Sequence, residues 1–265
     1  MNLNVEVNGN LISLTSDGGN IFNMEINNSS SYQMENFVNF IQSEMNEYES
    51  NCKYKLLIYP DTDAECPREW DNIGTMIGFH RSYIAGDNHS YSSQLELMYD
   101  LAYEYDSNNT EDLEELYNED KMSKSDYFEK LSELADKNNV ILPVYLLDHS
   151  IVQYSTHDFN DRWDSGQVGF IYASYDKIKS EFGDISEESI EKAKNNLEGE
   201  VKTYSQWANG EVYGFRLIKV DEFDNEVEEI DSCWGFYGPD IKENGIKDHI
   251  PKEFEYLLDE AEFKC

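Results

Sequence analysis

Two loops carry the residues whose types and spacing could do chemistry. In the first, Asp61, Asp63 and Glu65 alternate between Pro60 and Pro67, with Asp71 and His80 further on. Alternating carboxylates in a loop offer the oxygen ligands that Ca2+ or Mg2+ accepts. The run lacks the glycine and terminal glutamate of an EF-hand loop, so it reads equally as a solvated loop whose aspartates cap turns. In the second, Asp148-His149, His157-Asp158 and Asp164 gather beyond an apolar stretch. Two imidazoles and three carboxylates could hold a transition metal or move protons. No H-E-x-x-H or H-x-x-x-H pair fixes a metal spacing, and histidines after a strand also cap loops. A divalent metal ion is the only cofactor these residues suggest.

Other catalytic signatures are missing. The chain has no G-x-S-x-G elbow, no phosphate-cradling glycine loop followed by Lys-Ser/Thr, and no dinucleotide fingerprint. Cys233 sits between Ser232 and Trp234 in an acidic, aromatic segment, whereas a reactive thiolate needs positive charge nearby; a buried thiol is expected. The aromatic-glycine segments Trp163–Tyr172, Val212–Phe215 and Trp234–Gly238 read as core strands in which glycine lets a neighbouring ring pack close, or else as a ligand-stacking platform. A binding role is therefore expected over catalysis.

Charge then narrows the partners. Asp and Glu number 55 against 20 Lys and Arg, a net charge of -35. Such a field repels a phosphate backbone and an anionic membrane, which excludes direct nucleic-acid binding and points to a cationic partner. Aromatic residues make up 14% of the chain, too many for a disordered acidic tail, so the charge sits on a folded body. It concentrates at Glu111, Asp112, Glu114, Glu115, Glu119 and Asp120, again at Asp221, Glu222, Asp224, Glu226, Glu228 and Glu229, and near the C-terminus at Glu255 and Asp259. Solubility alone is the plainer account of the same charge. No apolar run approaches the ~20 residues of a membrane span, and the first residues lack a secretory pattern. Cys52, Cys66, Cys233 and Cys265 form no C-x-x-C pair, so free thiols and a cytoplasmic setting are expected.

The elements that must position these groups follow from periodicity. Alternation at Leu3-Val5-Val7, 11–14 and 21–26, with turns at Asn8-Gly9 and Asp17-Gly18-Gly19, predicts a three-stranded meander. Ser29–Ser31 offers a cap to a helix over 32–49. A strand follows at 54–59 and an apolar stretch through Met76, Ile77 and Phe79. Helices are expected over 92–137, with a stripe of Leu95, Met98, Leu101, Ala102 and Tyr105, then Phe128, Leu131, Leu134 and Ala135 after a Ser125 cap. The run Val140–Leu147, containing Pro143, reads as a buried or edge strand beside 151–154 and 168–172. Helices at 174–182 and 187–208 end at Gly183 and Gly210. A hairpin of 212–220 and 227–236 precedes a last acidic helix at 251–263. The class is α+β, antiparallel sheets with segregated helices. Its divisions are an N-terminal β-β-β-α unit at 1–50 and a main domain at 51–265, the latter divisible at 138/139.

One echo recurs: Arg68-Glu69-Trp70-Asp71, Gly74 and a strand ending Ser82-Tyr83, against Arg162-Trp163-Asp164, Gly166 and a strand ending Ser174-Tyr175. It reads as a duplicated strand-loop-strand-helix unit or as chance in an aromatic-rich chain. The segments Pro67–Thr75, Trp163–Tyr172, Gly210–Phe215 and Asp231–Gly238 resemble an uncharacterised acidic protein family of bacteriophages and mobile elements, over residues 54–240. The resemblance implies a gene product acting inside a bacterium. It makes the expected partner a basic host protein that handles nucleic acid, such as a CRISPR or restriction effector, met by carboxylates that imitate phosphates.

Overall fold

The computed structural model describes residues 3–8, 11–16, 19–25, 36, 38–41, 43, 51–80, 85–149 and 151–265. In chain order the strands and helices are β1 (Leu3–Asn8), β2 (Leu11–Ser16), β3 (Gly19–Glu25), β4 (Lys53–Pro60), β5 (Thr75–Gly78), α1 (Gln94–Tyr105), α2 (Ser107–Asn118) and α3 (Lys124–Ala135). There follow β6 (Asn139–His149), β7 (Ile151–Ser155), β8 (Ser165–Ser174), α4 (Tyr175–Phe182), α5 (Glu187–Ala208), β9 (Val212–Val220), β10 (Glu226–Tyr237), α6 (Ile246–His249) and β11 (Glu262–Phe263). Two 3-10 helices, Pro67–Glu69 and Lys252–Asp259, complete the set. The fold is α+β, with mostly antiparallel sheets in which β11 pairs parallel to β4.

The N-terminal alternation forms the antiparallel meander β1-β2-β3, with Val5 opposite Leu14 and Val7 opposite Ile12. Residues 36, 38–41 and 43 are helical. The turn residues Gly9, Asp17 and Gly18, the Ser29–Ser31 cap, the rest of the 32–49 helix and Ser82-Tyr83 lie outside the described residues. The chain divides into two compact units. One comprises Met1–Asp61, Tyr213–Phe236 and Asp240–Cys265; the other Thr62–Val212 and Tyr237–Pro239.

In the Thr62–Val212 unit the sheet order is β5-β8-β6-β7. Alternate residues feed two cores. Ile77 and Phe170 pack with Leu97, Met98, Leu101, Tyr127 and Leu131 of α1 and α3. Met76, Val144 and Ile171 pack with Ile178, Ala193, Leu197 and Val201 of α4 and α5. With both faces covered, the central strands read as continuous apolar runs rather than as alternation. Pro143 is accommodated because β7 pairs with β6 only from Tyr145 to His149, leaving β6 with one neighbour at the proline.

Three expectations are corrected in detail. The buried stripe of α1 runs through Leu97, Met98, Leu101 and Ala102, while Tyr105 is exposed, because the helix stops there and Asp106 caps the next one. The cap of α3 is Ser123 rather than Ser125: its hydroxyl accepts from Asp126 N at 3.1 Å and donates to the Asp126 carboxylate at 2.7 Å. The segment 251–263 is no α-helix. Pro251 precedes a 3-10 helix that buries Leu257 and Leu258, and Glu262-Phe263 then pairs parallel to β4. Phe254 and Leu257 are three residues apart, a spacing that aligns on the 3.0-residue turn.

In the other unit the sheet order is β10-β9-β4-β11. Leu56, Ile58, Phe215, Leu217 and Phe236 pack under Ile241, Ile246, Ile250 and Leu257. The expected close approach of ring and glycine occurs here: a Cβ on Gly214 would lie 2.2 Å from the Trp234 indole.

Candidate functional site

Arg68 organises the loop that carries the Pro-Arg-Glu-Trp-Asp-Asn motif. Its side chain is 5% exposed and donates in a fork to Asp87, Nε to Oδ1 and Nη2 to Oδ2, both at 2.8 Å. Nη1 donates to Glu200 Oε2 at 2.9 Å and Nη2 to the Gly74 carbonyl at 2.7 Å. Glu200 on α5 also accepts from the Ile73 and Gly74 amides, and Asp87 from the Met76 amide. One guanidinium and two carboxylates thereby fix residues 73–76 against α5. Gly74 belongs to the same joint, since a Cβ there would meet Leu197 Cδ2 at 2.4 Å and Glu200 Oε2 at 2.8 Å.

Above this network lies a cleft of about 350 Å³ lined by Trp70, Asp71, Asn72, Lys177, Asn195, Gly199, Thr203 and their neighbours. The Trp70 ring is held edge-on to Tyr237 at 5.1 Å, and its N–H donates to Glu65 at 3.3 Å. Lys177 reaches Asp71 at 3.4 Å. The sequence reading reached Trp70 and Asp71 but missed the α4 and α5 residues, which are more than a hundred positions away. Gly199, interior to a 22-residue helix, was the one available signal.

The first acidic block becomes a helical hairpin. Asp106 ends α1 and caps α2 through its side chain. Tyr103 donates to Glu111 at 3.2 Å and Tyr99 to Glu114 at 3.1 Å, so the pairs step outward from the junction as antiparallel helices require. From Ser90 to Asp120 the chain has ten Asp and Glu and no Lys, Arg or His. Glu111, Asp112, Glu115, Glu119 and Asp120 are exposed and Glu114 is half-buried. Lys121 engages Glu119 at 2.6 Å. The negative field registers on neighbouring groups. Burial and the bond to Glu114 push the Tyr99 hydroxyl up to about 12. Burial, with the charge of Glu96 adding to it, raises the Asp100 carboxyl.

The other blocks are more nearly neutralised within their own unit. Arg216 on β9 bonds Glu226 and Glu229, and Lys55 on β4 lies 3.2 Å from both Asp224 and Glu262. Lys242 pairs with Asp259. Asp221 serves the turn: the Asn225 side-chain amide donates to it at 3.0 Å and the Asn225 and Phe223 backbone amides at 2.9 Å, and these bonds, the Asn225 side chain foremost, hold its carboxyl low. Glu222 is exposed and Glu255 half-buried.

The metal candidates do not converge. No group of three or more His, Cys, Asp or Glu is placed to hold a metal ion among the described residues. His149 lies 3.8 Å from Asp164, whereas His157 lies 3.9 Å from Glu198 on α5. The register of β6 and β7 explains the separation: His149 pairs with Ile151 at the tight end, and Ser155 pairs with Tyr145 at the far end. The two Trp-Asp echoes also differ in role. Arg68 is buried in ion pairs, while Arg162 is exposed and Trp163 is 90% exposed. Asp161 accepts from the Trp163 and Asp164 amides, pinning that loop and lowering its own carboxyl. Cys233 is half-buried, and all four cysteines are free. No helix among the described residues is long and apolar enough to cross a membrane. Comparison of the chain with protein-family models, curated proteins and solved structures finds no match to any of them.

Proposed function

We propose that the protein is a non-enzymatic inhibitor, encoded by a bacteriophage or mobile element, that occupies the basic nucleic-acid channel of a bacterial host protein in the cytoplasm. The favoured class of target is a defence nuclease such as a CRISPR or restriction effector. The observation that carries this reading is the cation-free stretch from Ser90 to Asp120 and its ten carboxylates. It folds as a hairpin of two 12-residue helices, each about 18 Å long. Eight of the ten fall between Gln94 and Asn118, a mean density of roughly one negative charge per 2.3 Å of hairpin, against ~1.7 Å along duplex DNA. Carboxylates supply long-range steering, and Trp163, exposed on a pinned loop, supplies short-range anchoring.

The test is capture of the target from host extract on the full chain, followed by affinity measurements with and without duplex competitor. Raising salt from about 50 to about 200 mM is expected to weaken binding at least tenfold. Duplex and inhibitor are expected to compete. The combined variant Glu104→Gln, Glu111→Gln, Asp112→Asn, Glu115→Gln is expected to lose both affinity and salt dependence. Simultaneous binding of duplex and inhibitor, or an affinity indifferent to salt, overturns the reading.

A further inference from the structure

The cleft over Arg68 has the makings of a ligand site that the acidic hairpin does not use. Its volume, about 350 Å³, falls at the small end of the ~300–1,000 Å³ typical of ligand sites. Trp70 provides a flat apolar wall, 41% exposed and fixed by Tyr237 and Glu65. Facing α5 contributes Asn195 and Asn196, whose amides make no hydrogen bond among the described residues. Lys177, Asp71 and Glu181 complete a rim that offers both donors and acceptors.

The α5 side is the unusual part. Glycine is disfavoured in a helix interior, and a neighbouring group normally explains it. At Gly199 an added Cβ would meet nothing within 4 Å. The missing side chain therefore serves no packing within the unit, and it leaves bare, exposed helix backbone along the α5 side of the cleft. Beneath it, the Arg68–Glu200–Asp87 network holds the loop wall in place before any ligand arrives, which lowers the ordering cost of binding.

We infer that this cleft binds a sugar residue, neutral or amino, of a carbohydrate ligand. A pyranose has an apolar C–H face that lies on an indole and a rim of hydroxyls that each donate and accept. That matches one aromatic wall, two unengaged amides and mixed charges beside a bare stretch of helix backbone. Charge narrows the class further: Asp71, Glu181, Glu200 and the underlying Asp87 outnumber Lys177 and Arg68, so phosphorylated and uronic sugars are repelled. The inference stands independently of the inhibitor reading, because it uses none of the α1–α2 carboxylates.

The experiment is calorimetry and saturation-transfer NMR on the full chain with glucose, glucosamine, N-acetylglucosamine, cellobiose and chitobiose, and with adenosine as a flat polar non-sugar. At least one sugar is expected to bind with Kd at or below about 1 mM. Trp70→Ala is expected to weaken it at least about tenfold. Gly199→Gln, which places a side chain in the open space on the α5 side of the cleft, is expected to abolish binding without lowering the melting temperature. The pair Asn195→Ala with Asn196→Ala keeps the test open should Trp70→Ala unfold the loop. The inference is overturned if no sugar binds up to about 10 mM, if only adenosine binds, or if binding survives both Gly199→Gln and the double asparagine variant.

Discussion

Replacing Arg68 by alanine removes the buried cation that ties Asp87, Glu200 and the Gly74 carbonyl together. The guanidinium makes four hydrogen bonds of 2.7 to 2.9 Å while only 5% exposed. Its removal leaves Asp87 and Glu200, 24% and 13% exposed, facing each other without a counter-charge. The two carboxylates sit on opposite edges of the same guanidinium, roughly 6–8 Å apart, and at an effective dielectric of about 20 their repulsion is about 2–3 kcal/mol. Lost charge-assisted bonds add to this, and breaking one partner of a buried pair typically costs about 3–5 kcal/mol. Arg68→Ala is therefore expected to destabilise by about 3–5 kcal/mol, read from urea unfolding of the purified chain. Arg68→Lys recovers part of the charge but not the fork, and falls between. The decisive comparison is Arg68→Met with Asp87→Asn and Glu200→Gln, which removes the repulsion and should be more stable than Arg68→Met alone. A loss below about 1 kcal/mol for Arg68→Ala, or a triple variant no better than the single one, refutes the electrostatic account.

Three further outcomes are expected. Gly214→Ala forces a Cβ to within 2.2 Å of the Trp234 ring and should cost about 1–3 kcal/mol by chemical denaturation. Gly199→Ala should instead stabilise by about 0.5–1 kcal/mol, because the new methyl meets nothing within 4 Å and alanine favours the helix. Asp184, which accepts from Ser186 and Ser189 at the start of α5, is held down to about 2 by the Ser189 hydroxyl, with the Ser186 amide and hydroxyl adding to it. Its folded value lies below its unfolded one near 3.9, so its contribution is complete above about pH 4 and is lost as pH falls towards 2. Urea midpoints from pH 2 to 6 should show that slope in the parent chain and a shallower one in Asp184→Asn.

Elements were legible where periodicity speaks for itself. The alternation of Leu3, Val5 and Val7 marked β1, and the glycines after α4 and α5 marked their ends, at φ +90 for Gly183 and +72 for Gly210. Phase was harder. Leu97 rather than Tyr105 faces the core, because tertiary neighbours choose between two overlapping stripes on α1. The last segment misled because an acidic run with Leu257-Leu258 suits two helical pitches, and the free edge of β4 claimed its end. The Arg68 joint was out of reach. It gathers Asp87 and Glu200, 19 and 132 residues away, and such pairings leave no local pattern. Acidic blocks were visible as composition, but which of them carries its own counter-ions emerged only once Arg216 and Lys55 were placed.

The pairing of β4 has a consequence for biosynthesis. Both of its neighbours, β9 and β11, are encoded more than 150 residues later, whereas the Thr62–Val212 unit is nearly continuous in sequence. At about 5–20 residues per second, a ribosome takes roughly 10–30 s to cover that interval. During it, Leu56, Leu57 and Ile58 wait on a nascent chain with no partner strand, while the segment behind them is free to collapse into its own core. Lys53 and Lys55, interleaved on the same strand, are the type of charge that discourages edge-to-edge association. The order of assembly is thus written into the connectivity: the interior segment matures first, and chaperone dependence should track how quickly the C-terminal third is translated.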